Sequence, residues 1–166
     1  MVITSKAHTN DLYNTLLSLA RNIFFYKKIE LPDTFETRIY LMFMHFSIMM
    51  IVYKNKGEKF NQKSYDSLFH NIENNLREMG FGDVSVNKKM KDFNKLLYDI
   101  LLKLNKKEEI GIFKINEKLI IEYFKDLKDT KNTKYTDFER YFLNFYNFCF
   151  DIPLDNMIRD SINFKG

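Results

Sequence analysis

Proline and glycine are scarce. Two prolines and five glycines make up about 4% of 166 residues, where average usage is about 12%. A turn-rich β-sandwich or a disordered low-complexity tail needs more of these punctuating residues. Cysteine occurs once, as Cys149, which excludes an internal disulfide. No N-terminal stretch combines a basic start, an apolar run and a small-residue cleavage site, so the expected setting is a reducing compartment. The longest apolar run, Ile39 to Tyr53, has fifteen residues and includes His45 and Ser47. Crossing a bilayer takes about 20, so the run reads as a buried helix.

The residues that are present describe one globular domain. Hydrophobic residues make up 45% and charged residues 29%, and a chain of this length buries roughly 70% of its unfolded surface. The expected layout is a loose segment over 1–8 and a single helical domain over 9–163. Net charge is +4 but uneven: residues 1–107 hold 17 basic and 11 acidic side chains, and 108–166 hold 9 and 11. A basic N-terminal two-thirds points to RNA, anionic lipid or an acidic partner. A lysine-rich solvated surface accounts for the same bias.

Apolar spacing predicts an all-α fold of six or seven helices. Leu12, Leu16, Leu17, Ala20, Ile23 and Phe24 keep the three-and-four spacing of a helix over 10–27, capped by Thr9 or Asn10. After Pro32, Asp33 with Glu36 three residues later forms a capping box for a helix over 34–54. That helix is apolar on nearly every side, which places it at the centre. The connection 54–63 carries four lysines against one glutamate. A third helix over 62–79 runs into Gly80, and a fourth over 86–105 is capped by Ser85. Lys88, Lys91, Lys95, Lys103 and Lys106 gather on the fourth helix's outer face, interrupted by Asp92 and Asp99. The pattern breaks over 106–115 around Gly111. A short helix opens at Asn116, another starts at the capping box Thr136 to Glu139, and a last turn or two covers Leu154 to Ile162. No alternating strand pattern competes.

Catalytic patterns are missing. The histidines His8, His45 and His70 have no second ligand at a metal-binding spacing, so a metal is not expected. There is no phosphate-binding glycine loop and no nucleophile elbow. His45 lies seven positions after Arg38, on nearly the same helix face. Its expected role is a core histidine hydrogen-bonded to a neighbouring helix, with Arg38 paired to a carboxylate; Asp33, Arg38 and His45 are thus structural polar groups. Cys149 sits in an aromatic stripe as a small apolar filler without a base. Seventeen Phe, ten Tyr and eight Met supply either a tightly packed core or, in part, an apolar surface for another chain.

The order of motifs is similar to that of one family. Ala20-Arg21, Phe25-Tyr26, Leu31-Pro-Asp-Thr-Phe-Glu-Thr-Arg38, His45 in its apolar helix and, above all, Leu76-Arg-Glu-Met-Gly-Phe-Gly-Asp-Val-Ser-Val-Asn-Lys-Lys-Met-Lys91 resemble the ubiquinol-cytochrome c chaperone family. These segments cover about 12–104; residues 112–150 match only in pattern. The resemblance implies an α-helical, non-enzymatic assembly factor for the ubiquinol-cytochrome c reductase, with no cofactor and no DNA partner. Mitochondrial members associate with the ribosome near the tunnel exit, hold newly made cytochrome b together with a small partner protein, and pass it on for haem insertion. Lacking a transit-like extension, this chain looks like a compact bacterial member, expected in the cytoplasm beside the inner membrane with peripheral membrane contact. Arg77, Gly80, Gly82, Asp83, Lys88 and Lys89 are the expected partner-binding residues. The alternative is a ribosome- or RNA-binding helical module that uses its lysine-rich face. Phe81, where small aliphatic residues are usual, and the 54–63 loop depart from the family pattern and leave partner specificity open.

Overall fold

A computed structural model of the chain describes residues 2–104 and 113–166, with side chains from Asp11 onward. Among them are seven α-helices and no strand: α1 (Val2–Ala20), α2 (Phe35–Asn55), α3 (Gln62–Glu78), α4 (Asp83–Leu104), α5 (Glu117–Tyr123), α6 (Thr133–Asp151) and α7 (Met157–Asp160). This is the all-α fold expected. The predicted break around Gly111 and the outward-facing Lys106 lie outside the described residues.

Helix α2 is the axis. Every residue from Leu41 to Met49 is buried, and α1, α4 and α6 pack around it. By length and composition α2 is apolar enough to cross a membrane, but 72% of its most apolar window is buried inside the fold. Phe25, Phe43, Phe46, Phe138, Phe142 and Phe145 are fully buried in the same core, each worth about 1.5–3 kcal/mol of transfer free energy. The aromatic wealth of the sequence therefore goes largely into packing. Helix α3 lies on α1 and α4, so the α3–α4 turn stands at one edge of the bundle.

Several boundaries differ from the sequence expectation, each for a local reason. Helix α1 starts at Val2 rather than at Thr9 or Asn10, and ends at Ala20 rather than 27. At that end Asn22 turns its Oδ1 onto the Phe24 amide at 3.1 Å, and the Tyr26 hydroxyl donates to the Ala20 carbonyl at 2.7 Å. With those end groups satisfied, the chain enters a π-helical turn over Phe24–Lys28. Glu30 follows at φ 62, a left-handed conformation that L residues other than Asn and Asp rarely adopt.

At α2 the cap is Thr34, whose hydroxyl accepts from the Thr37 amide at 3.2 Å. Asp33, one residue earlier, is exposed and pairs with Arg38 at 2.8 Å. The capping box centred on Asp33 is thus displaced by one residue, and Asp33 is a surface group rather than a core one. Likewise Asn132, not Thr136, caps α6 through the Lys134 amide at 2.9 Å. Asn116 caps α5 in the same way at 2.9 Å. Ser, Thr, Asp and Asn all serve as caps; when two lie close together, the tertiary path of the chain decides which one does.

Candidate functional site

The most distinctive sequence block forms the elbow between α3 and α4. Gly80 adopts φ 96; its amide donates to Arg77 O at 3.0 Å and the Phe81 amide to Leu76 O at 3.2 Å. These are the paired bonds of a Schellman motif, which satisfies the last carbonyls of α3 and requires a left-handed residue at the first position past the helix. The Val86 amide donates to Gly82 O at 2.9 Å, so α4 begins at Asp83 and Ser85 lies within its first turn instead of capping it. Gly82 has no positive φ, and a Cβ there meets nothing within 4 Å.

The predicted partner-binding residues fall into two sets here. Arg77 and Asp83 meet across the elbow in a short ion pair, while the second guanidinium nitrogen of Arg77 reaches Glu73 at 3.2 Å. Hydrogen bonds to Asp83 and then to Glu73 hold the Arg77 pKa above its usual value. Asp83, one of the expected partner-binding residues, is thus engaged by this guanidinium. The Lys89 ammonium lies 4.7 Å from the Phe81 ring centroid, a cation–π contact. Lys88 is exposed on the outer face. Beside these charges Met79 is 50% and Val84 86% exposed, so the elbow presents apolar side chains within a charged rim.

The other polar groups build the core. His45 Nδ1 lies 2.6 Å from Leu41 O and Nε2 2.8 Å from the Tyr141 hydroxyl. A carbonyl only accepts, so Nδ1 carries the proton and Nε2 accepts from Tyr141. The Phe24 ring stacks on Tyr141 at 5.3 Å between centroids, linking the turn after α1 to α6. Burial pushes the His45 pKa down to about 3, against the bond to Leu41. It also raises Tyr141 and pushes the Cys149 thiol up to about 12. Such a thiol is unreactive at neutral pH. Asn22 and Tyr141 were not singled out in the sequence: Tyr141 is one more aromatic of the α6 stripe, and its partner lies 96 residues away.

A third polar cluster joins α4 to α5. Lys103 bonds Asp99 at 2.9 Å and makes a short contact with Glu122, and the Tyr123 hydroxyl makes a short bond to Asp99. Burial by itself raises the Asp99 pKa, but the bonds from Tyr123 and Lys103 outweigh it and hold the carboxyl below its usual value. Near this cluster a cleft of about 270 Å³ is walled by Leu31, Tyr40, Glu122 and Lys125. Among the described residues no three His, Cys, Asp or Glu side chains converge on a metal site.

The fold and these surfaces define an all-α domain wrapped around one buried helix, with its exposed apolar groups set among charges. The family model for ubiquinol-cytochrome C chaperones matches residues 27–135, from the π-helical turn to the start of α6. The chain belongs to the ubiquinol-cytochrome C chaperone family, whose role is in assembly of respiratory complex III. The match leaves out residues 12–26, with Ala20-Arg21 and Phe25-Tyr26, and at its other end extends past 104 into α5 and the first turn of α6. No curated protein and no solved structure matches the chain.

Proposed function

We propose that this chain holds newly made cytochrome b during assembly of the ubiquinol-cytochrome c reductase and performs no chemistry on it. The family match carries this reading, and the elbow supports it physically. A nascent membrane helix is apolar with charged flanks, and gripping it takes exposed apolar contacts inside a polar rim. Met79 and Val84 supply the contacts; Arg77, Asp83, Lys88 and Lys89 supply the rim, held in place by Gly80 and, at the start of α4, by Gly82. The place of work in this reading is the cytoplasm beside the inner membrane, with a ribosome and a small partner protein as further contacts.

The test is removal of the gene with measurement of cytochrome b absorbance and reductase activity. Both fall if the reading is right; unchanged cytochrome b and unchanged activity overturn it. A Met79→Ser, Val84→Ser double variant localises the contact: capture of a cytochrome b segment drops while the thermal midpoint stays near that of the parent. The ribosome- or RNA-binding alternative rests on the lysines of α4. It predicts association that weakens by about one decade-slope unit per neutralised phosphate as salt rises.

A further inference from the structure

Helix α4 carries a second surface that starts at the elbow and runs along the helix away from it. At about 100° per residue, Val84, Lys88, Lys91, Lys95, Tyr98 and Leu102 fall within about 40° of one line along the helix. All six are exposed, with Val84 at 86%, Tyr98 at 65% and Leu102 at 72%. The buried face of α4, with Val86, Leu97, Ile100 and Leu104, is diametrically opposite, so the packing of α4 on α2, α3 and α5 leaves this line uncovered. The stripe runs about 27 Å from Val84 to Leu102. Three lysines occupy its middle and apolar groups its two ends.

The carboxylates of α4 do not cancel these lysines. Asp83 is engaged by Arg77 and Asp99 by Lys103 and Tyr123, which leaves Asp92 as the one acid of α4 beside the stripe. Glu122 on α5 is held by Lys103. The line therefore combines net positive charge with exposed Val, Tyr and Leu. That is the composition of a helix lying in a membrane interface, with lysines at the phosphates and apolar groups just beneath them. An RNA backbone would use the lysines but offer no apolar environment to Val84 and Leu102.

We propose that the outer stripe of α4 docks this chain on a bilayer surface rich in anionic phospholipid, with Lys88, Lys91 and Lys95 on headgroup phosphates and Val84, Tyr98 and Leu102 in the interfacial layer. The inference deepens the membrane-side location proposed above. It assigns client holding to the elbow and membrane contact to the outer stripe of α4, two surfaces that meet at Val84 and Lys88.

The experiment is co-sedimentation of the purified full chain with vesicles of equimolar phosphatidylglycerol and phosphatidylcholine, against phosphatidylcholine alone. Binding is expected to the anionic vesicles only and to weaken as salt rises. Lys91→Gln with Lys95→Gln lowers the partition coefficient on the order of 20-fold, and Leu102→Ser lowers it about tenfold. The sequence contains no tryptophan, so Tyr98→Trp gives a single reporter: its emission shifts to the blue on anionic vesicles, whereas Ile23→Trp, at another exposed position, does not shift. Equal binding to both vesicle types, or no response to the α4 substitutions, overturns the proposal. So does a stripe that retains mixed-sequence RNA but no vesicles, or one that forms a dimer lost in Leu102→Ser. The assay contains no cytochrome b, so its failure leaves client holding untouched. Failure of client holding appears instead as unchanged cytochrome b in the gene deletion, with vesicle binding intact.

Discussion

The Tyr141 hydroxyl donates to His45 Nε2 across 2.8 Å, joining α6 to the central helix in a region where both residues are buried. The bond is one link in a chain that runs from Tyr141 through His45 to the Leu41 carbonyl. Tyr141→Phe keeps the ring but leaves the His45 nitrogen buried without a partner, at a cost of about 1–3 kcal/mol. For a chain of this size that lowers the thermal midpoint by about 2–4 °C per kcal/mol. A melting curve that overlays the parent's would show that the bond contributes nothing net.

The same histidine gives a pH dependence with a definite sign. A solvated histidine takes up its proton near 6.5, while burial holds His45 down to about 3. Between those values the unfolded chain binds one proton more than the folded chain. The stability linked to His45 is therefore complete above about pH 6.5 and falls as pH drops towards 3, by up to about 1.4 kcal/mol per unit. Urea midpoints of the parent and His45→Leu, measured between about pH 7 and about pH 4, should converge as the pH falls. Parallel curves would mean that His45 takes up its proton at the same pH in the folded chain as in the unfolded one.

What the sequence made legible was periodicity. The stripes of α3 and α4, the apolar α2 and the stop at Gly80 read directly, because spacing and turn chemistry are local. Displaced caps show where local rules tie: Asp33 and Thr34 both suit the cap of α2, and the ion pair to Arg38 draws Asp33 away. The end of α1 was not legible, since Asn22 and Tyr26 close it through bonds that propensity does not encode. Neither was the partner of His45, because a contact 96 residues distant depends on how α2 and α6 pack. Within the elbow, the residue types were readable but the Arg77–Asp83 pairing was not.

The two glycines of the elbow should behave differently. Gly80 has open space around it but a φ of 96, so Gly80→Ala fits sterically and still costs about 1–2 kcal/mol of backbone strain. Gly82 has open space and no positive φ. Gly82→Ser places an acceptor at the N-cap of α4 and is expected to be neutral or stabilising by a few tenths of a kcal/mol. Paired thermal melts decide it: equal losses at both sites would mean that Gly82 is needed for a close approach.

Arg77 holds two carboxylates at once, Glu73 from its own helix and Asp83 from the start of α4. The arrangement depends on the guanidinium fork, because the two acids lie in different directions. Removing Arg77 releases both carboxylates, whereas removing Asp83 leaves the Glu73 contact. Arg77→Ala should therefore lower the thermal midpoint more than Asp83→Ala does. Arg77→Lys should recover only part of the loss, since a single ammonium lacks the planar fork. Both effects should shrink as salt screens the exposed pair. If Arg77→Lys matches the parent in low salt, a point charge is sufficient and the fork does not set the angle between α3 and α4. If the three variants melt alike but differ in capture of a cytochrome b segment, Arg77 and Asp83 serve the client-facing rim more than the fold.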